Sequence, residues 1–217
     1  MTAVWSSQPQ VKQSDPDRTT RVGRWLFEHR TLIPVPLAIP LLLLPVGATP
    51  PSAGLLAGGI MLVALGEIVR LWAVHHIGAI SRTRTDRLGP LVATGPFGFV
   101  RNPIYLGNVA LWTGFALLAR MVWMAPVVIV LLGLEYHAIV RWEERLLESR
   151  LGDRYRRYAA RVPRWMPRFS GGRLEPTPSS SSSRRPTFSL SDTLFSERGT
   201  FIAIALASLA LWVKLNT

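Results

Sequence analysis

Residues 53–74 read AGLLAGGIMLVALGEIVRLWAV, an apolar run whose only charges, Glu67 and Arg70, fall near its end. A helix needs about 20 residues to cross a hydrocarbon core of about 30 Å, and this run supplies them. Gly54, Ala57 and Gly58 offer small residues for close contact with another helix. Glu67 and Arg70, three apart, read as a local ion pair at the membrane interface or as lining for the mouth of a site. Working outward, the apolar runs Ile104–Ala119 and Val122–Val140 are separated only by Arg120 and Met121. So short a break requires a helical hairpin. Phe201–Leu215 predicts a short apolar helix ended by Lys214. Thr31–Val46 is also apolar but carries Pro34, Pro36, Pro40 and Pro45. Each proline removes a backbone donor, so this span is expected to be kinked or re-entrant. The pattern predicts an all-α, polytopic membrane bundle of about five transmembrane helices.

Composition agrees. Hydrophobic residues make up 48% of the 217 residues, yet Lys and Arg number 25 and the net charge is +12. Mean hydropathy is nevertheless +0.24, so apolarity and charge must be segregated along the chain. The basic stretches are Arg18–Arg30, Arg82–Arg101 and Arg141–Arg185, whereas Gly47–Ser52 and Arg120–Met121 carry a single positive charge between them. The positive-inside rule then predicts a cytoplasmic N-terminus, five crossings and an outside C-terminus; a re-entrant first run would break this parity and move the N-terminus. The net charge suits anionic lipid head groups. Nucleic acid attracts the same charge, but the basic residues sit beside apolar runs rather than on one polar helix face, so it is not an expected partner. The absence of cysteine excludes disulfides, thiolate metal sites and cysteine nucleophiles. The first 30 residues lack an apolar core with a cleavage site, so no signal peptide is expected. The chain divides into a disordered tail (1–24), a membrane core (25–169), a Ser/Pro-rich linker (170–188) and a C-terminal amphipathic segment with a short transmembrane helix (189–217).

Two stretches stand out as carriers of chemistry. GPFGFVRNPIYLGN, residues 95–108, leads from a polar loop into a membrane helix. Gly95-Pro96 makes a turn, and Pro103 suits a first helical turn. Arg101, Asn102 and the backbone donors of that helix start form an electropositive pocket, or else an interfacial anchor with snorkelling side chains. The second stretch runs from Arg141 to Pro167. It contains Glu143 and Glu144 at a membrane exit, Gly152 placed to stop a helix, Tyr155 and Tyr158 at helical spacing, and Val162-Pro163-Arg164. Glu135 precedes Glu143 on a similar face. Two adjacent carboxylates in so basic a segment suit a cationic ligand. His75 and His76 are neighbours, poor geometry for joint ligation, and read as interfacial; no metal is expected.

Together these stretches resemble the isoprenylcysteine carboxyl methyltransferase and phospholipid methyltransferase family of integral membrane enzymes, in particular its short bacterial members. The family pattern is a Gly-Pro turn, Arg-His/Asn-Pro-x-Tyr-x-Gly, a helical hairpin, paired glutamates, Gly-x-x-Tyr-x-x-Tyr and a Val-Pro-Arg-like ending. The sequence supplies these in order from Leu91 to Pro167.

The resemblance implies S-adenosyl-L-methionine as methyl donor, held at the cytoplasmic face of an inner-membrane protein. No G-x-G-x-x-G follows a strand here, in keeping with a site that is not a Rossmann domain. Carried over by position, the cofactor contacts are Leu91, Val92, Phe97, Asn102, Pro103, Ile104, Tyr105 and Glu143, with Arg101 and Glu144 as catalytic candidates. Phe97 stands where the family has Tyr, and Asn102 replaces the His of the eukaryotic enzymes. Prenylcysteine enzymes carry a substrate-binding arginine four residues before the cofactor glutamate; Ile139 stands there. The implied acceptor is therefore a lipid or another lipophilic carboxylate or amine. Methyl transfer from a sulfonium depends mainly on alignment, which supplies roughly 7–11 kcal/mol of such barriers. Two other classes stay open: a non-catalytic membrane adaptor that keeps the fold, and a small transporter built on Glu67 and Glu135. The lack of an inverted repeat weighs against the transporter.

Overall fold

The structure, a computed structural model, describes residues 18–30, 34–44, 52–78, 91–168 and 189–216. Seven α-helices run through them: α1 (Arg18–His29), α2 (Val35–Leu43), α3 (Ala53–Ile77), α4 (Pro103–Leu118), α5 (Met124–Leu151), α6 (Asp153–Arg161) and α7 (Leu190–Asn216). No strand occurs among the described residues. The linker predicted at 170–188 lies outside them.

By length and composition α3, α5 and α7 can each cross a membrane, and α4 is a shorter apolar helix. Their outer faces are apolar and exposed: Leu56, Ile60 and Leu65 on α3, Ile129, Leu131 and Leu134 on α5, Ile202, Leu206 and Leu209 on α7. Such a distribution suits lipid rather than water. The nine residues of α2 rise only about 14 Å, and Pro40 lies inside it. At that length α2 by itself is shorter than a membrane span, and residues 31–33 and 45–51, which flank it, lie outside the described residues.

The helix α3 starts at Ser52, whose Oγ accepts the Leu55 amide at 3.1 Å, an N-cap bond. It runs antiparallel to α4 along a glycine seam. A Cβ on Gly66 would lie 2.6 Å from the Gly107 carbonyl oxygen, and one on Gly114 would lie 2.8 Å from that of Gly59. The glycines sit two turns apart on each helix, so the backbones meet at two levels. This corrects the expectation for Gly54 and Gly58. A Cβ on either would meet nothing within 4 Å, because they lie on a face of α3 turned away from α4.

The predicted hairpin joins α4 to α5. Arg120 takes φ +56°, and the Met121 amide donates to the Ala116 carbonyl at 3.0 Å. That left-handed residue closes the end of α4 as a C-cap. The core between the helices holds Phe115, Met121, Val128, Leu132, Tyr136 and Ile139. At the other end of α5, Gly152 takes φ +51°, which ends the helix where the sequence predicted and turns the chain into α6.

Two boundaries differ from prediction. Helix α1 begins at Arg18, inside the stretch expected to be disordered through residue 24. Gly23, Leu26 and Phe27 recur at helical spacing and face inward: a Cβ on Gly23 would meet the Ala138 carbonyl oxygen, while Leu26 and Phe27 pack on the core. At the other end, α7 starts at Leu190 rather than Phe201. Its first turns carry polar residues, but Thr193 and Glu197 are buried. They face α3, where His75 and Arg70 meet them. A polar face turned inward reads in sequence as a break.

Candidate active site

The turn before α4 and the segment after α5 come together as one unit. Gly95 opens the turn with φ +59°, and a Cβ there would fall 2.4 Å from the His76 ring. Four bonds then stitch the turn to distant residues. The Tyr158 hydroxyl donates to the Phe97 carbonyl at 2.9 Å. The Arg168 amide donates to Phe99 at 3.0 Å, and the Arg101 amide to Pro163 at 2.9 Å. Asn102 Nδ2 donates to the Arg164 carbonyl at 3.1 Å.

Glu144 closes this unit electrostatically. Its Oε1 accepts Arg101 at 2.8 Å and Arg164 Nε at 2.9 Å. Its Oε2 accepts the second arm of Arg164 at 2.6 Å. The Glu144 side chain is 14% exposed, so these charge-assisted bonds are little screened. The bonds to Glu144 also hold the Arg164 guanidinium above its ordinary pKa. Beside it, burial and then the Glu144 charge push the Tyr155 hydroxyl up to about 12. A cleft of ≈ 350 Å³ opens here, lined by Arg101, Arg141, Glu144, Tyr155 and Arg164 among others.

Glu143 faces elsewhere. Its Oε1 accepts the Tyr105 hydroxyl at 3.0 Å, which ties α5 to the first turn of α4. The Tyr105 ring stacks on Tyr136, with centroids 4.7 Å apart and planes 28° apart. Asn108 Nδ2 donates to the Tyr136 hydroxyl at 3.2 Å. Helix α1 flanks this side: Phe27 meets Trp142 at 4.8 Å between ring centroids, and the Arg30 charge acts on Glu143.

The predicted site residues therefore form adjoining groups. Tyr105 and Glu143 make one pair. Arg101, Asn102 and Glu144 join Arg164. Phe97 is buried, and Leu91 packs on Tyr155, Tyr158 and Val162. Val92 and Ile104 are half-buried, and Pro103 is buried at the start of α4. Neither Tyr105 nor Glu143 lines the cleft beside Glu144. Arg164 and Tyr136 escaped assignment from the sequence. Arg164 was visible as part of the Val-Pro-Arg ending, whereas Tyr136 had no signal beyond its place on an apolar helix.

A family profile described as phospholipid methyltransferase matches residues 55–154. Over those residues the chain is similar to the phospholipid methyltransferase family. The matched region contains every predicted site residue from Leu91 to Glu144, while α1, Arg164 and α7 lie outside it. The chain is also similar to the nickel-cobalt-cadmium resistance protein NccN of Alcaligenes xylosoxydans xylosoxydans, 32% identical over 126 residues, which is 58% of this chain and 56% of that protein. It is 30% identical to the cobalt-zinc-cadmium resistance protein CzcN of Cupriavidus metallidurans over 123 residues, 57% of this chain and 54% of that protein. The chain thus spans about half the length of the curated relatives it matches. No solved structure matches it.

Proposed function

We propose that this protein is an integral membrane methyltransferase that uses S-adenosyl-L-methionine to methylate a lipophilic acceptor. The observation that carries this reading is the meeting of the two family stretches at one end of the bundle, with Tyr105 on Glu143 and Arg101 on Glu144. The donor set fits the cofactor. Glu143 is a half-buried carboxylate that accepts the Tyr105 hydroxyl and lies within reach of the Arg30 charge, and a carboxylate so placed suits the ammonium of a methionine moiety. Asn102, Pro103 and Ile104 enter the same end of α4, and Leu91 and Phe97 lie with the α6 tyrosines that adjoin it.

When bound, the cofactor supplies an electrophilic sulfonium methyl for in-line transfer. The chain's own part is to hold and align. Tyr105 orients Glu143, and the stacked Tyr136 limits the rotation of Tyr105. Arg101 and Glu144 brace the turn rather than contact the acceptor, since both oxygens of Glu144 are taken by arginines. Ile139 is fully buried in the core, so no cation stands where prenylcysteine enzymes carry their substrate-binding arginine. This favours a lipid acceptor reaching the site sideways through the membrane.

With the five crossings proposed from the positive-inside rule, the site would face the cytoplasm. The chain lies at the site end at Arg30 and at the opposite end at Ser52. Near the end of α7, Lys214 Nζ donates to the Leu41 carbonyl of α2 at 2.7 Å and meets Met121 of the hairpin turn at 4.0 Å, far from Glu143. The arginines of α5 and α6 crowd the site end, as the positive-inside rule requires of a cytoplasmic face.

The names of the relatives motivate a second reading, a part in metal resistance. Among the described residues no group of three or more His, Asp or Glu side chains could hold a metal ion. The methyltransferase reading rests on the profile match over residues 55–154 and on the meeting of the two stretches. To test it, the full chain in lipid is incubated with labelled S-adenosylmethionine and native membranes, and the labelled product is identified by mass spectrometry. Transfer of label to a lipid-soluble product is expected. A chain that neither binds the cofactor nor labels any membrane component would leave the adaptor reading in its place.

A further inference from the structure

Outside the residues assigned above lies a buried polar cluster centred on Arg70. Its Nε donates to Glu67 Oε2 at 3.2 Å, and one arm donates to Asn108 Oδ1. The other arm reaches Glu197 Oε2 at 2.6 Å and Thr200 Oγ1 at 3.0 Å. Thr200 itself donates to Glu197 Oε2 at 2.9 Å. The Arg70 and Glu197 side chains are 12% and 3% exposed. Glu197 and Thr200 belong to α7, beyond the family-matched residues 55–154.

This cluster is joined to Glu143 without a gap. Arg70 occupies the oxygen of the Asn108 amide, so Nδ2 must face the other way, toward the Tyr136 hydroxyl. Tyr136 stacks on Tyr105, and Tyr105 donates to Glu143. Each link constrains the next. A guanidinium in apolar surroundings stays where its carboxylates hold it. Loss of Glu197 would leave Arg70 with Glu67 alone as counter-charge and draw it along its own helix. The Asn108 amide would then be released to turn, and Tyr136 would lose its donor.

We propose that Glu197 is a positioning residue for the Glu143 site, acting through Arg70 and Asn108 to fix the Tyr136–Tyr105 stack. The role rests on the cofactor function proposed for Glu143. It makes α7 part of the machinery rather than an added anchor, and it predicts energetic coupling between residues on different helices.

The test uses the full chain in lipid nanodiscs with carbon-13 tyrosine. The chain has four tyrosines: Tyr105 and Tyr136 on the run, Tyr155 and Tyr158 in the α6 cluster as internal controls. Glu197→Gln is expected to shift the ring resonances of Tyr105 and Tyr136, leave those of Tyr155 and Tyr158, and weaken S-adenosylmethionine binding about five- to tenfold by calorimetry. In an Asn108→Ala background the same change should add less than about twofold. Should Glu197→Gln move all four tyrosines, as misfolding would, Thr200→Val replaces it, with smaller effects in the same pattern. Unmoved Tyr105 and Tyr136 rings, moved rings with unchanged affinity, or fully additive losses would each overturn the role of Glu197. A wild-type chain that binds no cofactor would instead overturn the function proposed for Glu143, and this role with it.

Discussion

Gly66 and Gly107 face each other across α3 and α4 so closely that a methyl group on either would collide with the other's carbonyl oxygen, at 2.6 and 2.7 Å. Backbone cannot yield as a side-chain tip can. Gly66→Ala and Gly107→Ala are each expected to destabilise the bundle by about 1–3 kcal/mol, the range for forced overpacking. Gly58→Ala meets open space and removes a helix-weakening glycine, so it should be neutral or stabilising by up to about 1 kcal/mol. Thermal unfolding of the three variants in one detergent checks the order. Equal midpoints would refute the seam.

The Arg164–Glu144 clamp carries a prediction about order rather than global stability. Arg164→Ala leaves Glu144 with Arg101 alone and removes a bidentate pair. Bonds of this kind contribute about 1.5–3 kcal/mol. The loss should appear in the backbone the clamp holds: the Arg101 and Arg168 amides, which donate to Pro163 and Phe99, should exchange hydrogen faster, while amides in the middle of α5 should not change. Arg164→Lys restores charge without the fork and should recover only part of the protection. Exchange rates unaltered in Arg164→Ala would show that the turn is held without the clamp.

Much of this arrangement was legible in the sequence, for definite reasons. The runs around Ala53–Val74 and Val122–Val140 are long and apolar enough that only a membrane accounts for them, and the two-residue break at Arg120 and Met121 admits only a hairpin. Gly152 marked its helix end because a left-handed residue was needed there. The pairing of the Arg101–Tyr105 stretch with Glu143 and Glu144 was legible as a family pattern. What escaped depended on knowing which face meets which neighbour. Gly58 and Gly59 are adjacent in sequence, yet only Gly59 faces α4. Thr193 and Glu197 look like the end of a helix until Arg70 and His75 stand opposite them. Arg164 was part of a motif, but its bond to Glu144 spans a turn whose direction the sequence does not state.

The α6 tyrosines give an alkaline signature. Burial raises the Tyr155 hydroxyl to about 12, and burial together with Tyr155 raises Tyr158 above its ordinary value. In the unfolded chain both ionise near 10. Between about 10 and 12 the unfolded state therefore holds fewer protons than the folded one. Stability from this pair is complete below pH 10 and falls as pH rises toward the folded values. Absorbance at the tyrosinate band should show Tyr155 and Tyr158 ionising only as the fold is lost. Tyr158→Phe removes the bond to Phe97 and should lower stability at neutral pH while flattening the alkaline decline. Free titration of these tyrosines near pH 10 in the folded protein would contradict their burial.

Tyr105 and Glu143 separate holding from orienting. Glu143→Gln keeps the shape and the Tyr105 contact but deletes the charge proposed to hold the cofactor's ammonium. Charge-assisted bonds contribute about 1.5–3 kcal/mol, so binding should weaken about tenfold to a hundredfold. Tyr105→Phe keeps the ring stacked on Tyr136 and the carboxylate charged, and deletes only the bond that orients Glu143. A neutral bond lost in that way costs about 0.5–1.5 kcal/mol, so binding should weaken by less than in Glu143→Gln. If Tyr105 acts only through Glu143, the double variant should bind no more weakly than Glu143→Gln alone, because the orienting bond has nothing left to orient. Calorimetric titration of the three variants with S-adenosylmethionine decides it. A double variant whose loss is the full sum of the two would show Tyr105 touching the cofactor on its own account.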